Sequence, residues 1–399
     1  MVVNFGETTE TFHIGMGSIA TPGMIAGIYH IHRHFATMPM KELAQPAIAF
    51  ARDGIVMNDF QFFDISVLEP IMTKEAESRS IFYPNGKPLQ VGQTLKMPDL
   101  ANYLEHLVKE GERSFYEGEI AEQTVAACQE RGGFLSLEDF KSYQVIARKP
   151  LQVPYRGKTI LTNPLPSVGG TLLGLIMREL EHSFEANPYE VFSTGHVQNL
   201  QKIIGDTFKI KRDLGNLAKK WGSTSHFNIV DKWGNAINTT MSNGEGCGFM
   251  VPNTNIMMNN MLGELSLLPN GFHTWETGDR LSSMMSPTLV ADSQGDFEIA
   301  IGTGGGSRIP AAIAQVLHYL IDFGLDVTTA VNAARMHNEH GELNLEPELV
   351  GKDLTEEQLK VVNWKTSSMF FGGVHTIQKK NGTFHAAADD RREGFAINL

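Results

Sequence analysis

Gly222-Ser223-Thr224-Ser225-His226-Phe227-Asn228-Ile229-Val230-Asp231-Lys232-Trp233-Gly234-Asn235-Ala236 is the stretch that decides the reading of this chain. A run of small residues meets an alternating, β-branched stretch. Ser225–Val230 and Asn235–Thr240 predict two antiparallel strands, with Asp231-Lys232-Trp233-Gly234 as their hairpin turn. Thr224 heads the first strand. A threonine hydroxyl is a weak nucleophile without a base, and a freed α-amino group on the same residue is such a base. An α-amine has a pKa of about 7.7–8.0, so part of it is neutral near pH 7. Breaking the Ser223–Thr224 bond would put nucleophile and base on one residue. Read locally, the same pattern also fits an ordinary strand start after a structural linker.

The sequence on either side changes character at this point. Upstream, helices are expected over Pro22–Ala36, Leu43–Ala51 and Leu100–Lys109. Ser136-Leu137-Glu138-Asp139 reads as a helix cap followed by acidic first-turn residues. Leu151–Thr162 reads as two short strands about a turn at Tyr155-Arg156-Gly157-Lys158. The breakers of Asn163-Pro164-Leu165-Pro166-Ser167-Val168-Gly169-Gly170 follow. Helices are then expected over Thr171–Leu180 and His196–Leu214. Downstream, Asn255–Met261, Pro287–Val290 and Phe297–Gly302 read as extended. A helix is expected over Pro310–Phe323, and further strands over Gly372–Gln378 and Thr383–Ala388.

The 399 residues fit two to three average domains or one large α/β domain. A 42% hydrophobic content supplies a core, and the net charge of −12 is spread with no basic stripe to neutralise phosphates. Nucleic acid is therefore not an expected partner. The sequence has no 18-residue apolar run and no signal-peptide pattern at Met1–Glu10, so the chain as written reads as cytoplasmic, with no membrane partner. Cys128 and Cys247 form no CxxC and read as small buried residues.

Several segments could carry chemistry. Gly304-Gly305-Gly306, after a strand and before a helix, can present backbone N–H groups to a phosphate or an oxyanion, or can be a plain tight turn. It lacks the lysine of a P-loop and is not GxGxxG. Ser282 and Ser283 can hold a carboxylate, though serine pairs are also common in turns. Ser242-Asn243-Gly244-Glu245-Gly246-Cys247-Gly248 can line a pocket or simply connect two strands. His30, His32 and His34, and His337-Asn338-Glu339-His340, form no tidy ligand set, so neither a metal nor a cofactor is expected. No GxSxG elbow is present.

Taken together these segments resemble the γ-glutamyltransferase (γ-glutamyltranspeptidase, glutathione hydrolase) family of the N-terminal-nucleophile (Ntn) hydrolase superfamily. The resemblance implies an α/β (α+β) fold, the four-layer αββα Ntn sandwich, incomplete at the N-terminus because the family's small-residue-rich first segment has no counterpart before Met1. It implies cleavage at Ser223–Thr224 into a mostly helical part, 1–223, and a part beginning at the nucleophile, 224–399, together one structural domain. Thr224 takes the nucleophile's place and Gly305 and Gly306 that of the oxyanion-binding pair. Ser282 and Ser283 match the residues holding the substrate carboxylate, and Glu264 the acid holding its amino group. Ser242 and Asn243 fall in the substrate loop, and Ala386–Arg392 is also family-like. The implied partners are a γ-glutamyl substrate and the chain's own fragments as a heterodimer, and a homo-oligomer is compatible with both. Gly6 stands where the family places its carboxylate-binding arginine. That departure leaves open an acylase of other specificity, or a truncated homologue that is weak or inactive.

Overall fold

The computed structural model describes residues 1–4, 9–213, 224–268, 270–351 and 359–398. The chain packs as two compact units, Met1–Ala147 with Asn243–Glu264, and Arg148–Ser242 with Leu265–Leu399. The parts 1–223 and 224–399 expected from a cut at Ser223–Thr224 follow a different division, and each contributes residues to both units.

The first unit is mainly helical. Met24–Phe35, Gln45–Asp53, Pro98–Glu110 and Glu119–Arg131 are its longer helices. The helix expected over Leu43–Ala51 divides at Ala44 into Met40–Leu43 and Gln45–Asp53, with Pro46 in the first turn of the second. Ser136 caps Leu137–Lys141 through a reciprocal box with Asp139. Ile19, Ala121, Cys128, Phe140, Cys247 and Val251 are fully buried in one core. The extended stretch expected over Asn255–Met261 is only partly formed: Ile256–Met257 pairs with Met250–Val251, and the chain then tightens into a 3₁₀ turn at Met261–Gly263.

The second unit holds a six-stranded antiparallel sheet. Its spatial order is Thr383–Ala387, His375–Lys380, Phe297–Gly302, Thr288–Ala291, Lys158–Thr162, Leu151–Tyr155. The helices Val168–Ala186 and Ile309–Ile321 cover one face, and Thr194–Asp213 packs on the first of them. Side chains alternate along a strand, so Ile299 and Ile301 enter the helical core. The residues that alternate with them on the other face are the small Ala300 and Gly302.

That second face receives the hairpin that the sequence foretold. Thr224–Val230 pairs with Ala236–Ser242, and Thr224 lies opposite Ser242. The turn closes because the Asp231 carboxylate accepts from the N–H groups of Trp233 and Asn235, both at 2.9 Å. Gly234 takes the left-handed φ of +89° that the turn needs. Asparagine amides then tie hairpin to sheet. Asn238 Nδ2 donates to the carbonyls of Thr288 (2.9 Å) and Ile301 (3.0 Å) and to Asn228 Oδ1 (2.7 Å). Asn228 Nδ2 donates to the His375 carbonyl at 2.9 Å. Helices on antiparallel sheet, with a second β layer behind, make this an α+β fold of the Ntn-hydrolase kind.

Replacing Asn238 with alanine strands polar atoms at this interface, each costing about 1–3 kcal/mol when buried. We expect N238A to shift the urea unfolding midpoint down by that order, with the denaturant slope unchanged.

Candidate active site

The hairpin fixes Thr224. Its side chain is largely buried, and its Oγ1 donates to Ser242 Oγ at 3.3 Å across the strand pair. Ser223, which completes the expected cleavage bond, lies outside the described residues. Two residues further along the same strand face, His226 is seated over the sheet. Its ring contacts Thr240 Oγ1 at 2.8 Å and Asn228 Oδ1 at 3.1 Å. A Cβ on Gly302 would come within 2.1 Å of that ring, so the sheet must carry glycine here.

Beyond Gly302 the strand runs into Thr303-Gly304-Gly305-Gly306 and the helix Ile309–Ile321. A Cβ on Gly304 would lie 2.1 Å from the Thr224 carbonyl oxygen, so this glycine brings the turn against the nucleophile candidate. Gly305 and Gly306 have φ of +136° and +58°, conformations that favour glycine. Among the described residues, neither N–H donates a hydrogen bond. The turn that meets Thr224 through Gly304 therefore carries two backbone donors available to a ligand.

Arg392, to which sequence alone assigns no role, donates to the Thr224 carbonyl (3.4 Å) and to that of Met369 (3.4 Å). It is aimed by a buried charge cluster. Asp389 meets Arg335 at 2.6 Å and Arg391 at 3.1 Å, and Arg391 also meets Glu346 at 2.5 Å. Asp389 further accepts from the N–H groups of Val374 and Arg391. Burial alone would raise the Asp389 pKa, but the two guanidiniums outweigh it and hold the carboxyl ionised, below its usual range. The signal in the sequence was the run Asp389-Asp390-Arg391-Arg392. Nothing in it separates the arginine buried in the cluster from the one that reaches Thr224.

Ser282 and Ser283 lie just before the strand Thr288–Ala291, and both hydroxyls meet backbone. Ser282 Oγ donates to the Leu267 carbonyl at 3.1 Å, and Ser283 Oγ accepts from Met285 N–H at 3.0 Å. Their backbone is pinned by Gly169 N–H and Ser167 Oγ, both donating to the Ser283 carbonyl. A Cβ on Gly169 would strike the Met284 carbonyl at 2.1 Å, which explains a glycine in the breaker cluster.

The remaining two candidates belong to the other packing unit. There Asn243 Nδ2 donates to the Met257 carbonyl at 3.0 Å, and the Asn243 carbonyl accepts from Asn260 N–H. Glu264 is buried, and a Cβ on Gly244 would lie 2.5 Å from its Oε1. The Ser242–Gly248 loop and the acid are thus neighbours. Gly6 lies outside the described residues. Among the described residues, no three His, Cys, Asp or Glu side chains gather as a metal site, and no helix is long and apolar enough to cross a membrane.

An α+β sandwich with a threonine at the head of an inner-layer strand defines the Ntn-hydrolase class. Within it the chain belongs to the γ-glutamyltranspeptidase family, whose model matches residues 1–215 and 193–399. It is 30% identical over 433 residues to the capsule biosynthesis protein CapD proenzyme of Bacillus anthracis, covering 98% of this chain and 78% of that protein. It is 29% identical to the glutathione hydrolase proenzyme of Escherichia coli (strain K12), covering 96% and 74%. The fold matches that of a cephalosporin acylase from Bacillus halodurans with a TM-score of 0.77 at 21% identity, over 97% of this chain and 79% of that one.

Burial makes two histidines of the second unit, His226 and His196, hard to charge. His226 falls to about 4 and His196 to about 3 from an ordinary 6.5, in each case chiefly because burial penalises the cation. The unfolded chain takes up these protons near pH 6.5, whereas the folded chain refuses them until far lower pH. Protons then favour the unfolded state throughout that window, so stability falls as pH drops from 6.5 towards 4. Urea midpoints measured across this range should decline, and His226→Gln should flatten the slope.

Proposed function

We propose that this protein transfers or hydrolyses γ-glutamyl groups through an acyl-Thr224 intermediate, after cleavage of the Ser223–Thr224 bond. The observation that carries this reading is Thr224 itself: it heads an inner strand, its hydroxyl meets that of Ser242, and the glycine turn that touches its carbonyl carries two backbone N–H groups that donate no hydrogen bond among the described residues. Cleavage frees the Thr224 α-amine, which takes the Oγ1 proton as Oγ1 attacks the γ-carbonyl carbon. The carbonyl oxygen gains negative charge facing the N–H groups of Gly305 and Gly306. Collapse of the adduct expels the amine, which leaves with the proton. Water, or the amino group of an acceptor, then attacks the ester carbonyl and regenerates the Thr224 hydroxyl. In this reading Ser282 and Ser283 hold the substrate α-carboxylate, while Glu264 and Asn243 hold its α-ammonium group.

The two pieces would remain together as a heterodimer. Lys158–Thr162, from before the cut, pairs with Thr288–Ala291, from after it, in one sheet. Separating them would break a ladder in the middle of a core.

A second reading is an acylase with another acyl specificity. Gly6 favours it, being uncharged where a γ-glutamyl enzyme of this family is expected to carry arginine.

Intact-mass measurement of the purified protein is expected to give fragments 1–223 and 224–399, with Thr224→Ala remaining one chain. The cut protein should turn over a γ-glutamyl anilide, and T224A should not. An uncut, inert wild type would refute the proposal. Faster turnover of a butyryl anilide, which lacks both the α-amino and the α-carboxylate groups, would select the acylase.

A further inference from the structure

An oxyanion site made of backbone N–H groups works only if its peptide planes point the right way. The three glycines 304–306 bring no side chains with which to set them, so the orientation must come from the residues around them.

Thr303 is fully buried and uses both capacities of its hydroxyl. Oγ1 donates to the Gly304 carbonyl at 2.6 Å and accepts from Gly373 N–H at 2.8 Å. A trans peptide is planar, with C=O and N–H pointing in opposite directions. Holding the Gly304 carbonyl on the Thr303 side therefore turns the Gly305 N–H to the opposite side. The next plane is held separately: the Gly305 carbonyl accepts from Arg308 N–H at 3.2 Å, which sets the direction of the Gly306 N–H. Downstream the turn is anchored where Ser307 Oγ donates to Glu339 Oε2 at 2.7 Å. The upstream plane has Thr303 alone among these anchors.

The surroundings are built around that hydroxyl. A Cβ on Gly372 would stand 2.7 Å from Thr303 Oγ1 and 3.0 Å from the Gly304 carbonyl, so glycine there leaves the hydrogen-bond path open. Gly305 in turn sits where a Cβ would press on Gly372 Cα at 3.2 Å. Thr303 thus joins the glycine turn to the Gly372-Gly373 turn through one oxygen.

We propose that Thr303 is a positioning residue for acyl transfer: its hydroxyl locks the Gly304–Gly305 peptide so that the Gly305 N–H faces the developing oxyanion. This rests on the proposed oxyanion role of Gly305. Thr303→Val keeps the branched shape and removes the hydroxyl, freeing the plane to rotate. Deleting an oxyanion donor outright costs roughly 10²–10³ in kcat, so a misaimed one should cost about 10- to 100-fold.

The test combines steady-state kinetics on the acyl anilide that the wild type turns over with crystal structures of the variants. T303V should lose kcat by that factor with KM within about twofold of wild type, since ground-state binding does not use this donor. Thr303→Ser, which restores the hydroxyl, should recover kcat to within a few-fold. The T303V crystal structure should show the 304–305 peptide rotated and that of T303S in place. A folded T303V with wild-type kcat, or a loss that T303S does not recover, would overturn the proposal. If the wild type proves inert on every acyl anilide, the proposed function fails, and the crystal structures still decide: an unrotated peptide in T303V overturns the positioning role, whereas a rotated one upholds the lock.

Discussion

Everything at the candidate site depends on how closely the hairpin can lie against the sheet. The sheet face that receives it carries Ala300 and Gly302, and the strand continues into three glycines. With so little side chain in the way, the layers meet through hydrogen bonds rather than through an apolar interior. Asn238 and Asn228 reach backbone carbonyls of the strands opposite, and His226 fills the space over Gly302. Such a polar seam is directional: it fixes register as well as separation, where interdigitating apolar chains tolerate small slips. That suits a strand whose first residue must be placed accurately.

The same close approach gathers the parts around Thr224. Gly304 touches its carbonyl oxygen, Arg392 donates to that oxygen, and Ser242 stands across the ladder from its hydroxyl. Arg392 belongs to a turn held by a buried cluster of two arginines and two carboxylates. Breaking one partner of such a cluster leaves a buried charge uncompensated and costs several kcal/mol, on the order of 3–5. The cluster is thus a rigid mount for the one arginine of the turn that reaches the site. Burial likewise pushes the pKa of His226 and of His375 down, because the dry interior penalises a lone cation.

Strong local patterns in the sequence translated directly into structure. The Asp231–Asn235 turn and its alternating flanks gave a hairpin whose strands each run one residue longer than expected, Thr224–Val230 and Ala236–Ser242, the second also starting one residue later. The helix expected over Pro310–Phe323 is Ile309–Ile321. Weak patterns were decided elsewhere. The strands Met336–Glu339 and Glu342–Leu345 escaped notice because His, Asn and Glu dominate them, yet all but Glu342 are buried. Asn255–Met261 looks extended but shortens to a two-residue strand, since the Asn259 and Asn260 side chains bond backbone and bend the chain.

By itself the sequence determined the hairpin and the glycine turn, which are local matters of residue type and spacing, and its family resemblance named the candidates for a nucleophile, an oxyanion site and the substrate contacts. Only the tertiary structure decided that Thr224 would face Ser242, that Gly304 would lie against its carbonyl, and that Arg392 rather than Arg391 would reach it. Those contacts join residues as far as 168 positions apart. Thr303 makes the same point at short range. A threonine before three glycines looks unremarkable until the Gly373 N–H, brought in from 70 residues away, fixes which way its hydroxyl can point.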